Sequence, residues 1–262
     1  MLARTLALAA ALTVAAPAAA DDLKDAEAKL KDYLGGIEGS GAGRVTPLTA
    51  DGVPETFPDF VLFSHVIPLY PVAREAPAPL KHANVIAVPK KKDGKPVLVT
   101  DLKGLEAFFK GNARPVKGGG EAEKAVAAWL RAASELSQDG YFKFTVKPGS
   151  VAKADDAITA DGTSAVDPRN MDKGEIKATL TFKGGKLTSA DTKVGISAGI
   201  RPRCQATKLL DPDPIVRAIA EDSLRVMGST AKEYLDEQYR KASPALKKAI
   251  DRVRKKIAEE GR

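Results

Sequence analysis

Residues 175–182, EIKATLTF, put Ile176, Ala178, Leu180 and Phe182 on one side of a strand and Lys177, Thr179 and Thr181 on the other. Gly184-Gly185 follows, a pair free to adopt positive φ, and a second run extends from Leu187 to Ile196. A two-residue turn of this kind joins antiparallel neighbours, so this part of the chain is committed to an antiparallel sheet. The apolar parity of the returning run changes between Leu187 and Val194, which predicts a bulge near Ser189-Ala190.

Helical periods flank this hairpin. Residues 22–34 carry Leu23, Ala26, Leu30 and Leu34 on one face, and a flexible Gly/Ser stretch is expected from Gly35 to Gly43. Asp59–Ile67 is apolar on both faces, as in a strand buried on both sides, and is ended by Pro68 and Pro71. Asn84–Val88 and Val97–Thr100 read as short strands joined through Asp93-Gly94. Thr100 or Asp101 caps a helix that turns Leu102, Leu105, Phe108 and Phe109 inward. A longer helix over 121–138 repeats Ala125, Val126, Trp129, Leu130, Ala133 and Leu136 at helical spacing, and strand 141–146 follows it. Residues 147–174 are rich in Asp, Ala and Gly and read as a long polar loop. The expected class is α+β over residues 21–205, an antiparallel sheet with helices packed on one face. A small all-α module over 209–262 follows it.

Residues 1–20 read as a secretory signal peptide. Arg4 precedes an apolar run from Leu6 to Val14, and Ala18-Ala19-Ala20 offers an A-x-A cleavage site before Asp21-Asp22. The run is too short to span a bilayer, and no later segment is long and apolar enough. The chain is therefore expected to be exported, periplasmic or extracellular. It holds a single cysteine, Cys204, so no intrachain disulfide is available, and its expected place is a small buried or half-buried hydrophobe. Residues 21–262 are long enough to bury roughly 70–75% of their unfolded surface without covalent staples.

The tail has a different texture. Asp213 caps a helix with Pro214 at its first position and Ile215, Val216, Ile219, Ala220, Leu224 and Met227 as its apolar stripe. Gly228 ends it, Thr230 and Glu233 read as a capping box for the next helix, and Ser243-Pro244 restarts a third that carries Leu246, Ala249, Ile250, Val253 and Ile257. Asp213-Pro214-Ile215-Val216-Arg217 aligns with Ser243-Pro244-Ala245-Leu246-Lys247. The run LLDPDPIVRAIAEDSLRVMG resembles the opening helix of a HEAT-type repeat, with Asp213, Val216, Arg217, Ala220, Leu224 and Gly228 at the repeat's Asp, Val, Arg, Ala, Leu and Gly positions. Only about one and a half units are present where stacking needs about three or more. The resemblance implies a helical docking element for protein–protein contact, not an extended solenoid, and no catalysis.

The chain's net charge of +7 is concentrated in this tail, where residues 199–262 hold 15 of the 41 Lys and Arg against 10 of the 34 Asp and Glu. A solvated helix face is the expected use; Arg217, Lys247, Lys248, Arg252, Arg254, Lys255 and Lys256 form the candidate partner surface. Aromatic interleaving and nucleic-acid motifs are missing, so the expected partner is another envelope protein.

Catalytic signatures are sparse. The two histidines, His65 and His82, lack the Cys or His neighbours of a zinc site, and His65 reads as a satisfied core residue. No G-x-S-x-G, P-loop or dinucleotide fingerprint occurs. Two S-x-x-K quartets, Ser150–Lys153 and Ser229–Lys232, lack the companion motifs of penicillin-binding enzymes. Asp155, Asp156, Asp161, Asp167 and Asp172 do not keep the EF-hand register. No catalytic, cofactor-binding or metal-ligating residue is assigned. The leading expectation is an exported non-enzymatic binding or scaffold protein that docks through its helical tail. The alternative is a small-ligand binder or hydrolytic enzyme with a pocket between the sheet and helix 121–138, reached by His65, Tyr70 and Arg74.

Overall fold

The computed structural model describes residues 17–40, 43–67 and 76–260. Met1–Ala16, with most of the leader, and Pro68, Tyr70, Pro71 and Arg74 lie outside the described residues. The class is α+β, with two antiparallel sheets in place of the single one expected. The first sheet has the order β1 (Arg44–Pro47), β2 (Phe60–Val66), β3 (Ala83–Pro89), β4 (Val97–Val99). The second is a meander of β5 (Phe144–Ala154), β6 (Ala157–Val166), β7 (Lys173–Lys183) and β8 (Lys186–Ser197).

The helices stand in layers with these sheets. α1 (Pro17–Gly35) covers one face of the first sheet, where Ala26 and Leu30 pack on Phe63, Ile86 and Val88. A short α2 (Val53–Thr56), α3 (Leu102–Asn112) and α4 (Gly119–Leu136) meet its other face, where Leu62, Val85 and Ala87 join their core. The second sheet closes α4 from the far side with Ile158, Ala160, Ile176, Ala178, Leu180 and Phe182. This arrangement explains two sequence patterns at once. β2 is apolar on both faces because helices cover both, and α4 is rich in buried alanine because two sheets approach it. Trp129 fills its middle and donates Nε1–H to Thr192 Oγ1 of β8 at 2.9 Å. Asp101 caps α3 as expected, accepting from Gly104 N at 2.7 Å.

The polar stretch 147–174 is not a loop. It forms the rest of β5 and all of β6, turned at Asp155-Asp156, and β6 alternates buried and half-buried along its whole length. Its residues are small, and so loop-like in sequence, because Ala160, Gly162 and Ser164 face α4, where a large side chain has no room. Strand 141–146 correspondingly begins only at Phe144. Gly184-Gly185 turns with positive φ at both positions, and the bulge falls at Thr188, one residue before its expected place.

α5 (Pro214–Met227), α6 (Lys232–Lys241) and α7 (Pro244–Glu259) form their own core with two 3-10 turns, Pro202–Cys204 and Ala206–Leu210. Asp213 and Ser243 cap α5 and α7 through bonds to Ile215 N and Leu246 N. α6 has Ala231 as its N-cap, after a 3-10 turn at Gly228–Ala231; the side chains of Thr230 and Glu233, read as a capping box, lie outside the described residues. Cys204 is buried in this core, as expected of it, beside Ile200 and Leu209. The helices thus shelter one another and the connecting segment, not the sheets. Arg201 ties that segment to the sheet unit: 2% exposed, it donates to Asp139 Oδ2 at 2.5 Å and Asp172 Oδ1 at 2.6 Å and stacks on Phe142.

Candidate functional site

The interface between the sheets and α4, offered by the sequence as a pocket, is filled by buried side chains. The C-terminal end of α4, at Leu136, Ser137 and Gln138, borders a depression of about 570 Å³ shared with Lys81 and His82, and the start of α4 borders a smaller one of about 220 Å³ with Thr56 and Val116. The larger cleft lies on the opposite face of the first sheet. It measures about 700 Å³ between α1, the turn that follows it, β1 and β2.

Leu30, Leu34, Ile37, Val45, Pro47 and Phe63 give it mostly apolar walls, and Glu27, Lys31 and Glu38 stand exposed at its rim. Phe63 and His65 reach it because β2 alternates its side chains, sending Leu62 and Ser64 to the α4 side. Ser64 donates there to Glu135 Oε2 at 2.7 Å. The roof is pinned by charge as well as grease. Lys29 Nζ donates to the carbonyls of Pro89 (3.0 Å), Lys90 (3.4 Å) and Lys91 (2.8 Å), and Lys90 pairs with Asp22 at 3.1 Å.

Residues 35–40, expected to be a flexible linker, are a run of closed turns forming the cleft's end wall. Ile37 N bonds to Leu34 O, Ser40 N to Ile37 O, and Ser40 Oγ to Leu34 O at 2.6 Å. Beyond them, Gly43 lies flat against the buried imidazole, and a Cβ there would meet His65 Nε2 at 2.0 Å. Only glycine permits that approach.

His65 occupies the cleft's floor, fully buried. Its Nε2 lies 3.3 Å from Ser40 O, and its Nδ1 3.4 Å from Asn84 Nδ2. Asn84 gives one amide hydrogen to Lys81 O and shares the other between His65 O and Nδ1, and its Oδ1 accepts from Lys81 N. These partners assign the proton to Nε2, which faces an acceptor, and leave Nδ1 to accept from the amide. Burial pushes the imidazole's pKa down, against the smaller upward pull of the Ser40 carbonyl. His65 is thus neutral and has both nitrogens engaged, which suits a wall and not a proton shuttle.

The tail's basic residues are mostly spent inside the helical module. Glu221 of α5 takes both Arg252 and Lys256 of α7, and Arg254 joins Asp236 of α6 and stacks on Tyr239. Arg217 donates to the carbonyls of Asp211 and Pro212, Lys247 lies over Tyr239, and Lys255 sits 3.8 Å from Glu259. Lys248 is exposed. Arg252, Arg254 and Lys256 thus join helices of the module to one another. Ile215 and Ile219, expected in the buried stripe of α5, instead join Val226 in an exposed one. Ile215, Ile219 and Val226 are 67%, 42% and 74% exposed on the face opposite buried Ala220 and Leu224.

The other sequence candidates are separated. Ser150 lies on edge strand β5 and donates to Asp161 Oδ2, Asp167 pairs with Arg169, and Asp172 with Arg201. Ser229 and Lys232 border an apolar groove of about 460 Å³ with Leu235 and Ile257. Among the described residues no group of three His, Cys, Asp or Glu is placed to hold a metal ion. Comparison with known proteins finds no family model, curated protein or solved structure that matches this chain.

Proposed function

We propose that this chain is an exported, non-enzymatic binding protein whose α+β unit takes a small, mainly apolar molecule into the cleft beneath α1. The observation that carries the proposal is an apolar-walled space of about 700 Å³ whose one histidine has both ring nitrogens occupied. That volume lies within the range of small-molecule sites, and at roughly 30 Å³ per water-sized group it holds on the order of twenty non-hydrogen atoms. Export rests on the leader pattern of residues 1–20; cleavage after Ala20 leaves α1 starting at Asp21-Asp22, carboxylates that favour a helix N-terminus. N-terminal sequencing of protein recovered from the cell envelope reads Asp21 first if this is correct and Met1 if it is not.

The binding test uses the uncharged probe N-phenyl-1-naphthylamine, whose fluorescence rises in apolar surroundings. Wild type binds it saturably, and Val45→Trp, which places an indole across the cleft mouth, weakens binding at least tenfold while leaving far-UV circular dichroism unchanged. Equal binding by the two proteins refutes the cleft as the site.

A second reading concerns the helical module, taken as one HEAT-type unit that docks on another envelope protein. The exposed Ile215, Ile219 and Val226 stripe favours it, because apolar side chains gathered on one helix face mark contact surfaces more often than scattered ones do. Envelope pull-downs with Ile215→Asp/Val226→Asp lose a partner that wild type retains; identical partner lists reject the docking role.

A further inference from the structure

We infer that the ligand of the cleft is a single-chain amphiphile with a positively charged head, an inference that rests on the cleft reading above. The floor and walls offer Leu34, Val45 and Phe63, while Ser40 Oγ and both His65 nitrogens already have partners. A polar group carried to the floor therefore loses its water and gains little in return, a loss of the kind that excludes it. The part of the ligand that enters is a hydrocarbon chain or ring.

Polarity is confined to the rim. On α1, Glu27 stands one helical turn before Lys31, so their charges offset each other. Glu38, in the turn beyond the helix, adds a second carboxylate, with no further cation among the described lining residues. Over the described lining residues the rim is thus net negative, on a chain whose overall charge is +7. A head group held at Glu38 with its tail between α1 and β1 meets an ammonium-seeking mouth set against a positive background. Because the whole-molecule charge attracts anions, any preference for a cation is local to the rim and not a property of the bulk surface.

The test displaces N-phenyl-1-naphthylamine from the full mature chain with decyltrimethylammonium or decyl sulfate, two amphiphiles of equal tail length kept below their micelle concentrations. Decyltrimethylammonium displaces the probe at roughly fivefold lower concentration, the scale of one exposed ion pair. Glu38→Lys, at an exposed turn position, removes or reverses that preference. Equal displacement by both amphiphiles, or a preference for the sulfate, overturns the inference while leaving the cleft as a binding site. A wild type that never binds the probe sinks the cleft reading itself.

Discussion

His65 is the residue whose chemistry can be read most directly. Its imidazole is neutral because burial disfavours the cation, so the folded chain binds this proton less readily than the unfolded chain does. A depressed histidine pKa gives a stability that is complete above the unfolded value of about 6.5 and is lost as pH falls below it. Urea unfolding of the wild type should therefore weaken between pH 7.5 and 5.5, by no more than about 1.4 kcal/mol per pH unit below 6.5. His65→Gln, less stable at pH 7.5, should show a flatter dependence over the same interval. Parallel curves for the two proteins would mean that His65 is not the titrating group. The sequence had already placed His65 in a doubly buried strand, and the apolar run Asp59–Ile67 sufficed for that. It did not reveal the cleft, because the far wall is Gly43 and the turn at residues 35–40, and glycine-rich turns look the same whether they close a site or merely connect two elements.

At the level of elements, local rules carried far. Caps at Asp101, Asp213 and Ser243, and the Gly184-Gly185 turn, lie where the residue types demanded, since each satisfies a backbone group within a few residues. Residues 147–174 were not legible in this way, since small residues facing α4 imitate a loop and burial against a neighbouring helix is a long-range fact. The cross-helix pairing of Arg252, Arg254 and Lys256 was likewise invisible in linear spacing. Glu221 makes this pairing testable. Its hydrogen bond from Lys256, followed by the charges of Arg252 and Lys256, holds its carboxyl below the usual glutamate range. The stabilisation is present above the ordinary glutamate pKa and disappears as pH falls through the lower folded value. Glu221→Gln should cost about 1 kcal/mol at pH 7, shared between two partly exposed pairs, and almost nothing at pH 3. Thermal melts of both proteins at the two pH values measure it; an equal deficit at pH 3 would point to packing instead of charge.

Over the whole molecule, the decisive feature is that the hydrophobic interior is divided. One core joins both sheets to α3 and α4, a smaller one lies under α1, and a third is closed among α5, α6, α7 and residues 200–210. Arg201, buried between Asp139 and Asp172, fastens the last to the rest, and removing one partner of such a buried cluster typically costs about 3–5 kcal/mol. The chain has one tryptophan, Trp129, inside α4, so its fluorescence reports the sheet unit alone, while circular dichroism at 222 nm also sees the terminal helices. Urea titrations followed by the two signals should give midpoints that do not coincide, the sign of more than one cooperative unit. Superimposable curves would mean that Arg201 couples the cores into one.

The cleft beneath α1 is best examined by two-dimensional nitrogen–proton NMR of the mature protein during titration with N-phenyl-1-naphthylamine. Saturable shifts concentrated at Leu34, Ile37, Val45, Phe63 and His65, with the amides of α5–α7 unmoved, are the predicted result. Shifts confined to the helical module, or scattered without saturation over the surface, would contradict the assignment of this cleft as the binding site.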